Sequence, residues 1–391
     1  MVADPEERLL TRPFVVLAGV DLAYFMAGGV LIVATPVFAH NQLLADETGV
    51  GLVMGAFSVS TIVLRLWAGR WSDVYGRRRL IMAGCAGFAL VSLGHFLVTG
   101  LFTLVLVRLL LGACEALVFV AALAALADIV PAGRMGEGLS LNSLALYGGM
   151  ALGPVLGQVL LQAGGYSAAW LAAAALSGVS AGVAVLLPET RPSLVKDVAR
   201  PPRIYRKALR PGLALFCGIS MGGGFLAFAA LYAQDLQFEA WSGALFAYGA
   251  TVIVFRLVFR KLPDRFSPAA LGAAALVVMT VALLTLGLVR NPVGLVAGAV
   301  VMGAGAAFLT PAIFALVFSV VEPSQRGSAA ATTSVFIDLA LSGGPLLVGV
   351  VASRFDLPTA FLALAVLPLL GSLLLIAGQQ RRQKPTWVPR P

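Results

Sequence analysis

Asp21, Glu115 and Asp338 each interrupt a long apolar stretch, roughly ten to fourteen residues from its nearest end. A carboxylate surrounded by hydrocarbon loses its hydration. That loss favours the protonated form, so the group can load and release a proton near neutral pH. If the same group attracts a cationic or hydrogen-bonding solute, proton and solute compete and their movements become coupled. Arg108 precedes Glu115 by seven positions in one stretch, which puts both nearly on one helical face, about 10 Å apart along the axis. That is too far for direct pairing. A buried arginine faces a cavity or a partner, so Arg108 is read as modulating a nearby protonatable carboxylate, with a structural ion pair as the rival reading. Glu115 and Asp21 rank above Asp338 as proton carriers, because Thr332, Thr333 and Ser334 already mark that stretch as a polar, cavity-facing one. His40 and His95 are further titratable groups whose ordinary role is packing.

The elements that must position these groups follow from composition. Of 391 residues, 60% are hydrophobic and only 12% charged. At about 20 apolar residues per crossing, the chain holds about twelve spans and little else. Apolar runs fall at 12–37, 48–68, 80–99, 101–128, 139–163 and 166–187, then at 211–233, 240–259, 268–289, 293–320, 328–353 and 357–378. They are expected to be helices, since an open strand edge cannot be satisfied in lipid. The fold class is therefore an all-α membrane protein with twelve transmembrane helices in two six-helix bundles. The first run is too long for a cleaved signal. The three cysteines, Cys85, Cys114 and Cys217, each sit in an apolar run and imply no disulfide framework.

Charge placement gives orientation. With the amino terminus in the cytoplasm, 22 of the 27 Lys and Arg residues fall in cytoplasmic segments. Only Arg290 and Arg354 fall outside, while Arg65, Arg108 and Arg256 lie within spans. This asymmetry explains the net charge of +9 by topology, without a nucleic-acid partner. Both termini are placed in the cytoplasm, with the protein in the inner (cytoplasmic) membrane. Segment 188–210 carries seven basic residues, two acidic ones and four prolines. It reads as a linker that can also touch anionic headgroups. The expected organisation is a first bundle over 1–187, the linker over 188–210, a second bundle over 211–378 and a cytoplasmic tail over 379–391.

The two bundles repeat one another. Pro131 and Arg134 recur as Pro323 and Arg326, 192 positions on; Pro154 recurs as Pro345 and Asp73 as Asp264, 191 positions on. Duplicated six-helix halves suit a machine that rocks about a midplane site.

Three motifs sharpen the reading. Gly69-Arg-Trp-Ser-Asp73-Val-Tyr-Gly76-Arg77-Arg-Arg joins the second and third spans: its glycines permit a tight turn, and Asp73 can cap a helix. This G-x-x-x-D-x-x-G-R-[RK] spacing resembles the loop signature of the major facilitator superfamily, with Trp71 where the family usually has Leu. In the fifth span, Gly149, Gly153, Pro154 and Gly157 form a small-residue face for close helix approach. That pattern is similar to the fifth-helix signature of the superfamily's exporter, or drug:proton antiporter, branch. Arg108-Leu-Leu-Leu111-Gly112 resembles the fourth-helix R-x-x-Q-G motif, with Leu111 in place of glutamine. The resemblance implies the major facilitator fold and a cytoplasmic latch formed by Gly69, Asp73, Gly76 and Arg77, to which Asp128 and Arg134 are also assigned. It further implies a substrate surface from helices one, four, seven and ten or eleven. The candidates there are Tyr24, Phe25, Met221, Phe225, Phe228 and Phe308, with Gly222-Gly223-Gly224 as a flexible or kinked gate.

Together these features imply a proton-coupled exporter of small, fairly apolar or cationic organic compounds. It would act as a monomer in the lipid bilayer, with protons and the small molecule as its partners and no cofactor beyond the proton gradient. No metal site is expected. The alternative within transport is a polar metabolite such as a sugar or metallophore. An intramembrane enzyme would need a convergent catalytic set, and the two histidines stand far apart; a receptor has no supporting feature. No P-loop occurs that could power an ATP-driven pump.

Overall fold

The computed structural model describes residues 9–131, 134–190, 205–259, 262–321 and 326–383. Residues 191–204 of the expected linker, 384–391 of the tail, and Glu322 and Pro323 of the repeat lie outside them. The helices of the first half are α1 (Arg12–Asn41), α2 (Glu47–Tyr75), α3 (Arg77–Leu93), α4 (Leu101–Ile129) and α5 (Met135–Ala184). Those of the second are α6 (Arg206–Asp235), α7 (Gly243–Val258), α8 (Leu262–Arg265), α9 (Pro268–Leu288), α10 (Pro292–Phe318), α11 (Arg326–Ala352), α12 (Leu357–Leu364) and α13 (Val366–Gln383).

These helices make twelve passes. The 50-residue α5 supplies two, broken at Gly165, whose φ of +67° lies in the region that favours glycine. The last pass is shared by α12 and α13, which meet at Ala365. Helix starts are capped by short polar side chains: Asp46 accepts from Gly49 N (2.9 Å), Asn291 from Gly294 N (2.9 Å) and Asp356 from Thr359 N (2.7 Å).

Several boundaries differ from expectation. α2 runs to Tyr75, past the apolar run that ends at 68, and α6 begins at Arg206, inside the expected linker. Likewise α13 continues to Gln383, inside the expected tail. Hydropathy marks the hydrocarbon slab, whereas a helix continues until its hydrogen-bond ladder is broken. The expected gate at Gly222-Gly223-Gly224 is also corrected. α6 runs unbroken there, with all three glycines buried, and Gly224 backs onto Val348 of α11. They are contact points.

One apolar core is built wholly from the first half, from Leu9 to Leu187. The other fills the second half but also takes in Val33 and Val37 of α1 and Val50, Val53 and Met54 of α2. The halves are therefore packed together toward the face carrying the α1–α2 connection, opposite the face that carries the chain ends.

The repeat is visible in the packing. Gly153 and Pro154 of α5 lie directly against Gly29 of α1, where a side chain on Gly29 would meet Gly153 Cα at 2.9 Å. In the second half Gly344 of α11 lies directly against the carbonyl of Ser220 on α6. Ser220 follows Gly29, and Gly344 follows Gly153, by the same 191 positions.

Candidate functional site

A cavity of about 210 Å³ lies between the halves, walled by α1, α2, α3, α4, α5, α6 and α11. Its lining is mainly apolar, with Tyr24, Phe25, Phe57, Phe88, Met150 and Leu226 among the wall residues. Two charged side chains reach it, Arg108 and Glu115, both on α4. Tyr24 and Phe25 are thus cavity residues. The other four expected cavity residues do not line this cavity. Met221, Phe225 and Phe228 are wholly buried on another face of α6, with Phe225 against Tyr248 of α7 (centroids 6.0 Å apart), while Phe308 packs against Phe255 (6.4 Å). α6 instead presents Gly223, Leu226 and Ala227 to the cavity. Residues 221, 225 and 228 share one helical stripe, and 223 and 227 lie round the helix from it.

Beside the cavity, Arg65 of α2 reaches across to the second half. Its Nη1 is 3.0 Å from Asp338 Oδ1 on α11, its Nη2 is 4.0 Å from Glu115 Oε2, and its guanidinium lies 4.9 Å from the Phe119 ring centre. The 3.0 Å contact is a close ion pair; the 4.0 Å contact is Coulombic at longer range. Glu115 Oε2 is buried and, among the described residues, accepts no hydrogen bond; Tyr24 Oη, also in the cavity wall, is in the same condition. Two of the three expected carboxylates are thus brought to a single arginine.

The third is elsewhere. Asp21 is buried on α1 and accepts a 2.6 Å hydrogen bond from Asn142 Nδ2 of α5. Arg108 departs from its expected role next to a carboxylate: it donates to the carbonyls of Val53 (3.3 Å) and Met54 (3.5 Å) and sits 4.7 Å from the Phe57 ring centre. The hydrocarbon around α2 leaves those carbonyls and that ring as the polar surfaces within its reach. His95 is buried and stacked on Trp170 (4.1 Å between centroids), and His40 Nδ1 lies 3.2 Å from the Ala45 carbonyl oxygen.

Arg65, seen in the sequence only as a charge within a span, is the residue that joins the acids. Its counterpart was missed in the same way. Arg256 of α7 crosses from the second half to the first, donating to Ser143 Oγ (3.0 Å) and Tyr147 Oη (3.3 Å) of α5 and covering the Tyr147 ring (4.6 Å). Toward the other face the halves meet more tightly. A side chain at Gly55 of α2 would meet the Ser342 carbonyl oxygen of α11 at 2.5 Å, and one at Gly51 would meet that of Pro345 at 2.6 Å. Gln158 of α5 accepts from Ser242 N (2.6 Å) and donates to the Glu239 carbonyl (2.5 Å) in the α6–α7 connection.

On the face that carries the chain ends, Arg77 is buried and forms ion pairs with Asp73 and with Asp128 Oδ2 (3.3 Å). Gly76, at φ +101°, has Glu189 pressed directly over it, and Arg77 N donates to Glu189 Oε1 (2.8 Å). Thr190 adds a 3.0 Å bond to Asp128, so the start of the linker docks on this cluster. Gly69 has ample room, and Arg134 pairs with Glu137 (2.8 Å). Among the described residues no cluster of His, Cys, Asp and Glu could hold a metal ion.

Duplicated helical halves around a cavity between them, joined by side chains that cross from one to the other, define the architecture of a secondary transporter. The Major Facilitator Superfamily model matches residues 17–296 and 244–391, and the chain belongs to that family. Over 383 residues it is 27% identical to the uncharacterized MFS-type transporter YhhS of Escherichia coli K12, covering 94% of this chain and 92% of that protein. It is 30% identical over 389 residues to the uncharacterized MFS-type transporter PA1993 of Pseudomonas aeruginosa PAO1, with 92% of each covered. Among solved structures, a bacterial homolog of the human lysosomal transporter Spinster, inward-facing and occupied, superposes with a TM-score of 0.79 at 14% identity, covering 96% of this chain and 98% of that one. The human organic anion transporter MFSD10 gives 0.72 at 21% identity, covering 95% and 100%. At these identities the structures speak for the fold alone.

Proposed function

We propose that the chain is a proton-coupled exporter of small, largely apolar or cationic organic compounds, working by alternating access as a monomer. The observation that carries this reading is the pair of buried acids, Glu115 and Asp338, held from opposite halves by Arg65 at the edge of an apolar cavity. A proton on either acid removes one of the two charges that Arg65 faces and weakens the strap between the halves. A solute that occupies the cavity and draws on Glu115 does the same from the other side, so proton and solute alternate. Asp21 is a second proton carrier on this reading. The Asp73–Arg77–Asp128 cluster acts as the latch that must loosen when the halves rock. The fifth-span glycine motif, set against α1, favours export. The cation-rich face lies in the cytoplasm by the positive-inside rule, which places both termini there and the protein in the cytoplasmic membrane. The proton gradient is the energy source, and the chain needs no cofactor, nucleic acid or catalytic set. A sugar or metallophore is the poorer cargo, because the cavity wall offers few hydrogen-bonding groups.

The test is transport by the full chain in proteoliposomes under an imposed pH gradient, with a panel of organic cations and neutral aromatic compounds. Proton-driven countertransport is the expected result. Robust sugar uptake with no countertransport of any panel member would overturn the export reading.

A further inference from the structure

The two charges in the cavity wall have opposite sign and stand on one helix. Arg108 and Glu115 stand seven residues apart on α4, nearly in line along one face and about 10 Å apart along its axis. Both are buried, Arg108 being 5% exposed and Glu115 9%, and both line the same cavity. Between and around them the wall is hydrocarbon and aromatic, including Phe57 and Phe88. Each charge is left underserved by the protein. Arg108 has only two carbonyl oxygens, at 3.3 and 3.5 Å, and a ring face, with no carboxylate within ion-pair distance among the described residues. Among the described residues Glu115 Oε2 accepts no hydrogen bond, because Arg65 lies 4.0 Å from it and is committed to Asp338 at 3.0 Å. Tyr24 Oη, also unpartnered among the described residues and 2% exposed, adds a hydroxyl to the same wall.

From this arrangement we infer that the cargo is a zwitterion with an apolar body, its anionic group held by Arg108 and its ammonium by Glu115. The inference rests on the transport reading of the same cavity and revises its substrate class, adding an anionic group to the cationic one. A cation alone would leave Arg108 without a counter-charge in hydrocarbon, and an anion alone would leave Glu115 Oε2 without a hydrogen-bond donor. A molecule carrying both charges at the matching distance serves both ends, and its apolar middle takes the place of whatever fills the space between. Charge separation is then the selected property, with the apolar wall tolerant of the body's shape.

The experiment uses a molecular ruler. ω-Aminoalkanoates of graded chain length, with the matching n-alkylamines and n-alkanoates, are titrated calorimetrically against the full chain in nanodiscs, with empty nanodiscs subtracted. The expected result is an affinity maximum at one intermediate chain length, falling off for shorter and longer chains, with the best zwitterion bound at least about tenfold tighter than either singly charged analogue. Arg108→Gln should remove the preference over the alkylamine and spare alkylamine binding. Glu115→Gln should remove the preference over the alkanoate and spare alkanoate binding. A purely structural role would lower all three ligand types together, and that result overturns the proposal. So does an affinity that climbs steadily with chain length, which decides the matter even if a variant fails to fold. Proteoliposome transport of the same preparation separates the two readings. An intact ruler without proton coupling upholds the zwitterion site and removes the coupling, whereas coupled transport with no affinity maximum removes the zwitterion site and leaves the transporter.

Discussion

Arg65 and Arg256 are repeat counterparts, 191 positions apart, and each crosses from its own half to the other. Their targets are counterparts too: Asp338 follows Tyr147 by the same 191 positions. The duplicated fold thus carries two equivalent straps with different chemistry. One closes on carboxylates and is sensitive to protons; the other closes on hydroxyls and an aromatic face and is not. Duplication explains the position of the straps, and divergence at one residue confines the charge to the α2–α11 side.

The asymmetry predicts unequal mutants. Arg65→Gln leaves Asp338 buried without its cation, a class of change that costs about 3–5 kcal/mol when the pair is fully buried, and less here because Arg65 keeps some exposure. Arg256→Gln removes neutral-partner hydrogen bonds and a ring contact, worth about 1–2 kcal/mol. Thermal unfolding of the purified variants reads the order. Adding Asp338→Asn to Arg65→Gln should recover part of the loss, since the orphaned charge goes with it. Equal losses for the two single variants would mean that the carboxylate is not what distinguishes the straps.

For Glu115→Gln the expected outcome is a split. The amide keeps the shape and a hydrogen-bonding head but cannot exchange a proton, so gradient-driven transport should fall at least about tenfold while cavity ligands that lack an ammonium still bind. Proteoliposome flux and calorimetric binding on one preparation measure the two halves of this statement. Normal flux would remove Glu115 from the coupling path and leave Asp338 or Asp21.

How far the sequence reaches is clear from these groups. Asp21, Glu115, Asp338 and Arg108 were legible because a charge inside an apolar run stands out at once. Arg65 and Arg256 carry the same signal, and the 191-residue offset that relates them was also available. Their pairing was not, because it depends on α2 meeting α11 and α7 meeting α5, contacts between distant parts of the chain. The aromatic residues fail for another reason. α6 is apolar almost all round, so hydropathy cannot say whether 221, 225 and 228 or 223 and 227 face the cavity. Asn142 was hidden because a polar residue near the start of a span reads as its boundary.

Close helix approach predicts a steric test of the α1–α5 contact. A side chain at Gly153 would sit 2.5 Å from the Met26 carbonyl oxygen and 2.7 Å from Gly29 Cα, both backbone atoms that cannot swing aside. Gly153→Val should therefore destabilise by about 1–3 kcal/mol through overpacking. A Cβ at Gly178, on the second arm of α5, would meet no atom within 4 Å among the described residues, and Gly178→Ala should be neutral or slightly stabilising. Thermal unfolding of both variants against the parent makes the comparison. A destabilised Gly178→Ala beside an unaffected Gly153→Val would contradict the packing described.

At the latch, Arg77 holds Asp73 and Asp128 together while Glu189 closes over Gly76. A lysine keeps the charge but not the planar fork that serves two carboxylates at once. Arg77→Lys should therefore slow transport severalfold and Arg77→Gln should nearly abolish it, with cavity binding little changed in either. Gly76→Ala should match the glutamine variant, because φ +101° and the carboxylate above leave no place for a methyl group. Flux that survives Arg77→Gln would show that these ion pairs only decorate the loop.

Outside the spans, Asp356 gives a prediction about pH. Its carboxylate caps α12 through Thr359 and pairs with Arg290 at 2.9 Å, and the Thr359 hydrogen bond, followed by the smaller pull of Arg290, holds it below the ordinary aspartate range. A depressed value means that the folded state prefers the ionised group. The stabilisation is present above the unfolded-state value near about 3.9 and fades as pH falls through the lower folded-state value. The pair is well exposed, so salt should shrink the effect. Asp356→Asn should flatten the loss of stability below about pH 4 and leave the slope at neutral pH untouched. A series of unfolding temperatures from neutral to acid pH, at low and high salt, reads this directly. A change confined to the neutral range would place the titrating group elsewhere, and an acid limb identical to the parent's would show that the cap stands without its charge.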